Sequence, residues 1–189
     1  YLGIFIGIQF LFWTIGGLYF SWNQIEDVHG DHLRKITPLL NGNLKLSSPD
    51  SVLVYLKRFE SMDSIVSFEL INVLNKPVYR IEYLSSQNMG NTKFVLANAE
   101  TGKLREALTK EEAVLIARSL FIPNSEVSEV DYITEVGLHN EYRGKPLPAW
   151  VVRFNHSSNP SIYIGSLTGK FESIRHDVWR NFDFLWMLH

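Results

Sequence analysis

Residues 2–22, LGIFIGIQFLFWTIGGLYFSW, carry no charged side chain. No other feature of the sequence constrains the fold as tightly. A helix of that length rises about 1.5 Å per residue and reaches roughly 31 Å, the thickness of bilayer hydrocarbon. A helix in a soluble core of this size would keep a polar stripe. A signal peptide would have a shorter apolar core and a small-residue cleavage site such as A-x-A, and neither is present. The sequence therefore predicts a transmembrane helix over residues 1–24. Tyr19 and Trp22 stand near one end, where interfacial aromatic anchors belong.

Within that span Gly3 and Gly7 form a G-x-x-x-G, with Gly16-Gly17 as a second small surface. Such spacing suits close helix–helix packing, although glycine is also simply common in membrane helices. Gln9 is the one strongly polar side chain of the span, and an amide facing lipid is costly. Gly3, Gly7 and Gln9 are accordingly the candidate helix-packing residues. Glu26, Asp27 and Asp31 follow the span and the first basic residue is Arg34, which leans toward an extracytoplasmic exit. The chain starts at Tyr1 and stops in an apolar run, so it reads as a window cut from a longer protein.

Between the ends, the sequence has the character of a water-soluble α+β domain written twice. In the second copy Thr109 and Glu112 make a capping box, and Ala113, Ala117, Leu120 and Phe121 share one helical face before Pro123. The first copy has Ser48 as a cap and Pro49 at the first helical position. Val52, Tyr55, Leu56 and Phe59 form its apolar face. Alternating strands follow at Val66–Leu70 and Tyr79–Tyr83, and their counterparts are Val127–Val136 and Ala149–Phe154. Asn75-Lys76-Pro77 matches Gly144-Lys145-Pro146 as a turn. The hairpin at Thr101-Gly102-Lys103 matches that at Thr168-Gly169-Lys170, where glycine supplies the positive φ of a tight turn. The repeated order helix–strand–strand–strand predicts two antiparallel sheets, each with one helix packed on it.

This order, closed by a T-G-K hairpin, resembles the PepSY domain. Tyr142–Trp150, Tyr163 with Thr168-Gly169, and the closing stretch from Trp179 to His189 resemble the membrane-anchored, PepSY-associated transmembrane branch. The resemblance implies a transmembrane helix (1–24), two PepSY-like units (30–106 and 107–176) and the start of a second membrane helix (177–189). It also implies a bacterial inner membrane protein with its soluble part on the periplasmic side. Some relatives of the wider branch are linked to iron-siderophore reduction and hold haem through membrane histidines. The corresponding candidate ligand is His189.

The chemistry legible in the residues is sparse. A formal net charge of -2 gives no field for nucleic acid, and the absence of cysteine removes thiolate sites. His29-Gly30-Asp31-His32 offers two imidazoles, His29 and His32, as candidate metal ligands, or equally a turn around Gly30. His139, His156 and His176 are expected at the surface, and Arg80 with Glu82 as a solvated pair. There is no G-x-S-x-G, H-E-x-x-H, P-loop or dinucleotide fingerprint, so catalysis by this chain alone is not expected. The resemblance leaves three functions as expectations: an envelope module binding a protein partner or small ligand, a haem-carrying subunit of an iron-siderophore reductase-type system, or a propeptide-like regulator of a peptidase.

Overall fold

The computed structural model describes residues 1–85 and 92–187. A 21-residue helix, α1 (Leu2–Trp22), leads through the one-turn helix α2 (Ile25–His29) and a 3₁₀ turn at Asp31–Leu33 into the folded part. There the helix α3 (Pro49–Leu56) precedes β1 (Ser64–Val73), β2 (Lys76–Leu84), β3 (Thr92–Asn98) and β4 (Leu104–Arg105). The pattern returns as α4 (Lys110–Leu120) followed by β5 (Val127–Ile133), β6 (Ala149–Phe154), β7 (Ser161–Gly165) and β8 (Phe171–Arg175), and α5 (Asp177–Met187) closes the chain. Each set of strands forms an antiparallel meander, β1-β2-β3-β4 and β5-β6-β7-β8. The order is thus helix plus four strands, because the second arm of each T-G-K hairpin pairs as a strand of its own. The fold is α+β, with an apolar N-terminal helix and two antiparallel sheets.

The two helices are built differently. Thr109 accepts from the Glu112 amide and Glu112 accepts from the Thr109 amide, so α4 starts on a complete capping box. Its buried face is Ala113, Ile116, Ala117 and Leu120, which lie three and four apart. α3 has Pro49 in its first turn but no side-chain cap from Ser48, and it ends at Leu56. Val52 and Leu56 are its buried residues. Tyr55 and Phe59, expected on the same face, are exposed, their rings tilted against each other at 4.9 Å, and the chain leaves the helix before Phe59.

Alternation along β2 assigns the faces of the first sheet. Tyr79, Ile81 and Tyr83 pack with Val52, Leu56 and Ala97 under α3. Val78 lies on the opposite face with Ile71 and Leu96, in the larger core that also holds α4 and Val152, Phe154, Ile162, Ile164 and Ile174 of the second sheet. α4 therefore packs in a core that both sheets share, while the cluster under α3 and that of Tyr142, Ala149, Val151 and Tyr163 on the second sheet are separate.

The hairpin glycines have the expected conformation, with φ of +72° at Gly102 and +66° at Gly169. The other repeated turn is not equivalent in the two copies. In the first it is a two-residue hairpin in which Leu74 (φ 53°) and Asn75 (φ 61°) are both left-handed. In the second, Gly144-Lys145-Pro146 belongs to the long connection 134–148, which folds back over the outer face of its sheet.

Candidate functional site

The two sheets meet at a cavity of about 570 Å³. Four segments distant in sequence build it. β1 and its turn give Leu70, Ile71, Asn72 and Leu74, and α4 gives Ile116, Ser119 and Leu120. The second T-G-K hairpin gives Gly169, Lys170 and Phe171, and the chain entering the first copy gives Arg34 and Thr37–Leu40. That entering chain is held at its base by bonds from the Lys35 amide to the Leu120 carbonyl (2.7 Å) and from the Ile122 amide to the Leu33 carbonyl (2.9 Å). It then runs along the cavity as a strap, lining it with Thr37–Leu40, and Leu39 is 93% exposed.

Backbone conformation places the hairpin. A Cβ on Gly169 would stand 3.0 Å from Ile71 Cδ1 and 3.3 Å from the methyls of Leu96, so the second hairpin lies directly on the first sheet. Lys170 then reaches Glu69, whose other partner is Arg80, making an ion pair between residues 101 apart. The Lys170 hydrogen bond, helped by the nearby charges of Arg80 and Lys170, outweighs burial and holds the Glu69 carboxyl below its ordinary range. Arg80 does not pair with Glu82. Its side chain is only 12% exposed, and Glu82 accepts from Ser67 across the β1–β2 ladder.

The polar groups that face the cavity are few. The Arg34 guanidinium lies 4.5 Å over the Phe171 ring and 4.0 Å from the Asp31 carboxylate. Asn72 donates through Nδ2 to the Pro38 carbonyl at 2.7 Å, while its buried Oδ1 has no hydrogen-bond partner among the described residues. An apolar cavity with a few convergent polar groups is the usual form of a ligand site.

A second cluster ties the soluble part to the helices at its ends. Glu141 accepts from the Tyr163 hydroxyl (2.6 Å) and from Arg180 Nε (2.7 Å), and Arg143 grips Asp183 through both terminal nitrogens. Tyr142 is fully buried, stacked on Tyr163 at 4.6 Å, and Arg175 lies 4.0 Å over Trp179. Burial raises the Glu141 carboxyl, but bonds from Arg180 and Tyr163 and the charges of Arg180 and Arg175 bring it below its ordinary value. The two stretches that looked like motifs, Tyr142–Trp150 and the one opening at Trp179, are thus in contact. At the far side of α5, Phe182 and Trp186 meet Phe20, and the Tyr19 hydroxyl donates to the Val178 carbonyl.

His29 ends α2, and His32 sits in the 3₁₀ turn with Nδ1 3.5 Å from Asp27. No group of three or more metal-ligating side chains occurs among the described residues. His176, expected at the surface, is 1% exposed and sits at the start of α5 beneath Gly30, 5.8 Å from His32 ring to ring. Its Nε2 has no hydrogen-bond partner among the described residues and lies beside Gly30, where an added Cβ would stand 3.2 Å away. Burial first, and then the His32 charge, hold His176 below its ordinary value. Gly3 and Gly7 have nothing within 4 Å of an added Cβ, Gln9 is half-buried, and Gly16 is the buried glycine of α1. His189 lies outside the described residues. Neither the cavity nor the Asn72 acceptor had any sequence signal beyond the repeated T-G-K.

Residues 56–108 match the model of the family described as PepSY: Peptidase propeptide and YPEB domain, a span running from the end of α3 to the link before α4. A crystal structure titled as a "putative lipoprotein" from Clostridium difficile 630 aligns over 73% of this chain and 97% of its own. The two share 16% identity at a TM-score of 0.29. No curated protein matches the sequence. α1 is long and apolar enough to cross a membrane, with mean hydropathy 1.7, as an anchor or an export signal would be.

Proposed function

Since the chain carries a PepSY domain over its first sheet, we propose that it is a membrane-anchored, extracytoplasmic binding module of the bacterial envelope. α1 crosses the inner membrane, α5 begins a second membrane helix, and the two sheets form a periplasmic receptor between them. The observation that carries this reading is the cavity of about 570 Å³ closed by both halves, with the second copy's T-G-K hairpin as one wall. A single unit would lack either the β1 edge or the hairpin, so ligand binding is a property of the pair. The contacts of Phe20 with Phe182 and Trp186 support an arrangement in which both helices leave the soluble part side by side. Gly3, Gly7 and Gln9 then face a continuation of the second helix or another membrane helix.

The cysteine-free sequence makes the test direct. Ser119→Cys labelled with bimane, in the full chain in lipid nanodiscs, reports entry of any occupant into the cavity. Thr37→Cys in intact cells should react with a membrane-impermeant maleimide. A bimane emission shift on addition of dodecanoate or of an apolar peptide mixture is expected. No shift with either, or protection of the thiol introduced at position 37 until the cells are opened, would contradict the reading.

A further inference from the structure

The cavity opens onto a free strand edge, and that edge defines the class of ligand. β1 is paired only to β2, so one side of its backbone is unmatched within the described sheets. The register places Leu70 opposite Tyr79 and Ile71 opposite Val78, on opposite faces of the sheet. Both faces nevertheless contribute to the same cavity, since Leu70, Ile71 and Asn72 all line it. The cavity therefore wraps the outer edge of β1 rather than lying on one face.

The edges of the two sheets are treated differently. β4 is two residues long. β5 carries Glu129 and Asp131, both paired to Arg153, which are charges of the kind that discourage edge pairing. β1 is ten residues long, and beyond its bulge at Ile65/Ser67 the exposed large apolar residue on its edge is Leu70, at 41%. Its one acid in that stretch, Glu69, is engaged by Lys170 and Arg80. At the far end of this open edge stands Asn72 Oδ1, without a partner among the described residues, which accepts and cannot donate.

A small amphiphile would fill the apolar space but leave the row of backbone groups unpaired. An extended polypeptide satisfies the whole constellation, because it supplies alternating N–H and C=O groups along an edge and an apolar side chain every second residue. Resting on the reading of this cavity as the ligand site, we infer that the occupant is an extended segment of a partner protein added as a fifth strand beside β1. It pairs with the backbone over residues 69–72, gives an N–H to Asn72 Oδ1 and seats one apolar side chain against Leu74, Ile116 and Leu120. Lys170 is held by Glu69, whereas Arg34 has only the looser 4.0 Å pairing with Asp31, so Arg34 is the cation that meets an acidic residue of the segment, from its place over Phe171.

The test uses the full chain in nanodiscs and a fluorescein-labelled pool of nonapeptides that alternate an apolar and a polar residue and contain one glutamate. Fluorescence anisotropy should show binding. Methylating every second backbone nitrogen should weaken it at least tenfold in one register and little in the other. Leu70→Lys, which places a charge on the edge without disturbing the core, should weaken it at least tenfold, and glutamine for glutamate in the pool about threefold. If dodecanoate shifts the bimane emission of the labelled Ser119→Cys chain while the pool fails to bind, or binds regardless of methylation, the cavity is a ligand site but the strand inference is overturned. Self-association of the chain that Leu70→Lys abolishes would make a second copy the occupant and overturn the partner claim. Silence toward both probes overturns the site reading itself.

Discussion

Replacing Gly169 by alanine probes the contact that joins the two halves. The residue sits at φ +66°, where an L side chain costs roughly 1–2 kcal/mol. The new methyl would also press on Ile71 at 3.0 Å and on Leu96 at 3.3 Å, and both neighbours are buried. Overpacking of that kind adds about 1–3 kcal/mol, for a total of about 2–5 kcal/mol. Gly144→Ala is the internal control. Its φ is +72° but nothing stands within 4 Å of an added Cβ, so only the conformational cost of about 1–2 kcal/mol applies. Urea unfolding of the full chain in detergent, followed by tryptophan fluorescence and near-ultraviolet circular dichroism, should rank Gly169→Ala below Gly144→Ala by about 1–3 kcal/mol. Equal losses would mean that the hairpin does not rest on the first sheet, and the cavity would lose a wall.

Other consequences follow from the same contacts. Leu120→Ala, in the core shared by both sheets, should cost about 2–5 kcal/mol, whereas Lys170→Met, which breaks a half-exposed ion pair, should cost under about 1 kcal/mol in the same urea assay. The Glu141 carboxyl is lowered in the folded state, so its stabilising contribution is complete above its unfolded value of about 4.3 and is lost as pH falls through the lower folded value. Glu141→Gln should therefore flatten the acid limb of a stability–pH profile while reducing stability at neutral pH. The purified full chain should be colourless and free of zinc, iron and copper by elemental analysis. A Soret band that shifts on reduction would instead favour the haem reading, with His189 as the first ligand to replace, and bound metal would direct attention to His29 and His32.

Much of the architecture is legible because its causes are local. The uncharged run at 2–22, the Thr109–Glu112 capping box and the two T-G-K hairpins each require only neighbours in sequence, and all are in place. The end of α3 is not legible. A 3.6-residue apolar period runs on through Tyr55 and Phe59, and no glycine or proline marks the stop after Leu56. The pairing of Arg80 is hidden because strand register chooses its partner, setting Glu69 opposite it across the ladder. The burial of His176 is hidden because what covers it is Gly30, far away in the chain. The cavity escapes for the same reason, since its walls come from segments near residues 37, 71, 118 and 170 that only tertiary packing assembles.

The central claim is that the two sheets act as one receptor around that cavity, and hydrogen exchange on the full chain in nanodiscs tests it most directly. Adding the alternating peptide pool should slow exchange together in residues 69–74 of the first sheet, the end of α4 and the 168–171 hairpin of the second. Protection confined to one of the two sheets, or none in any of the three segments at saturating peptide, would contradict it.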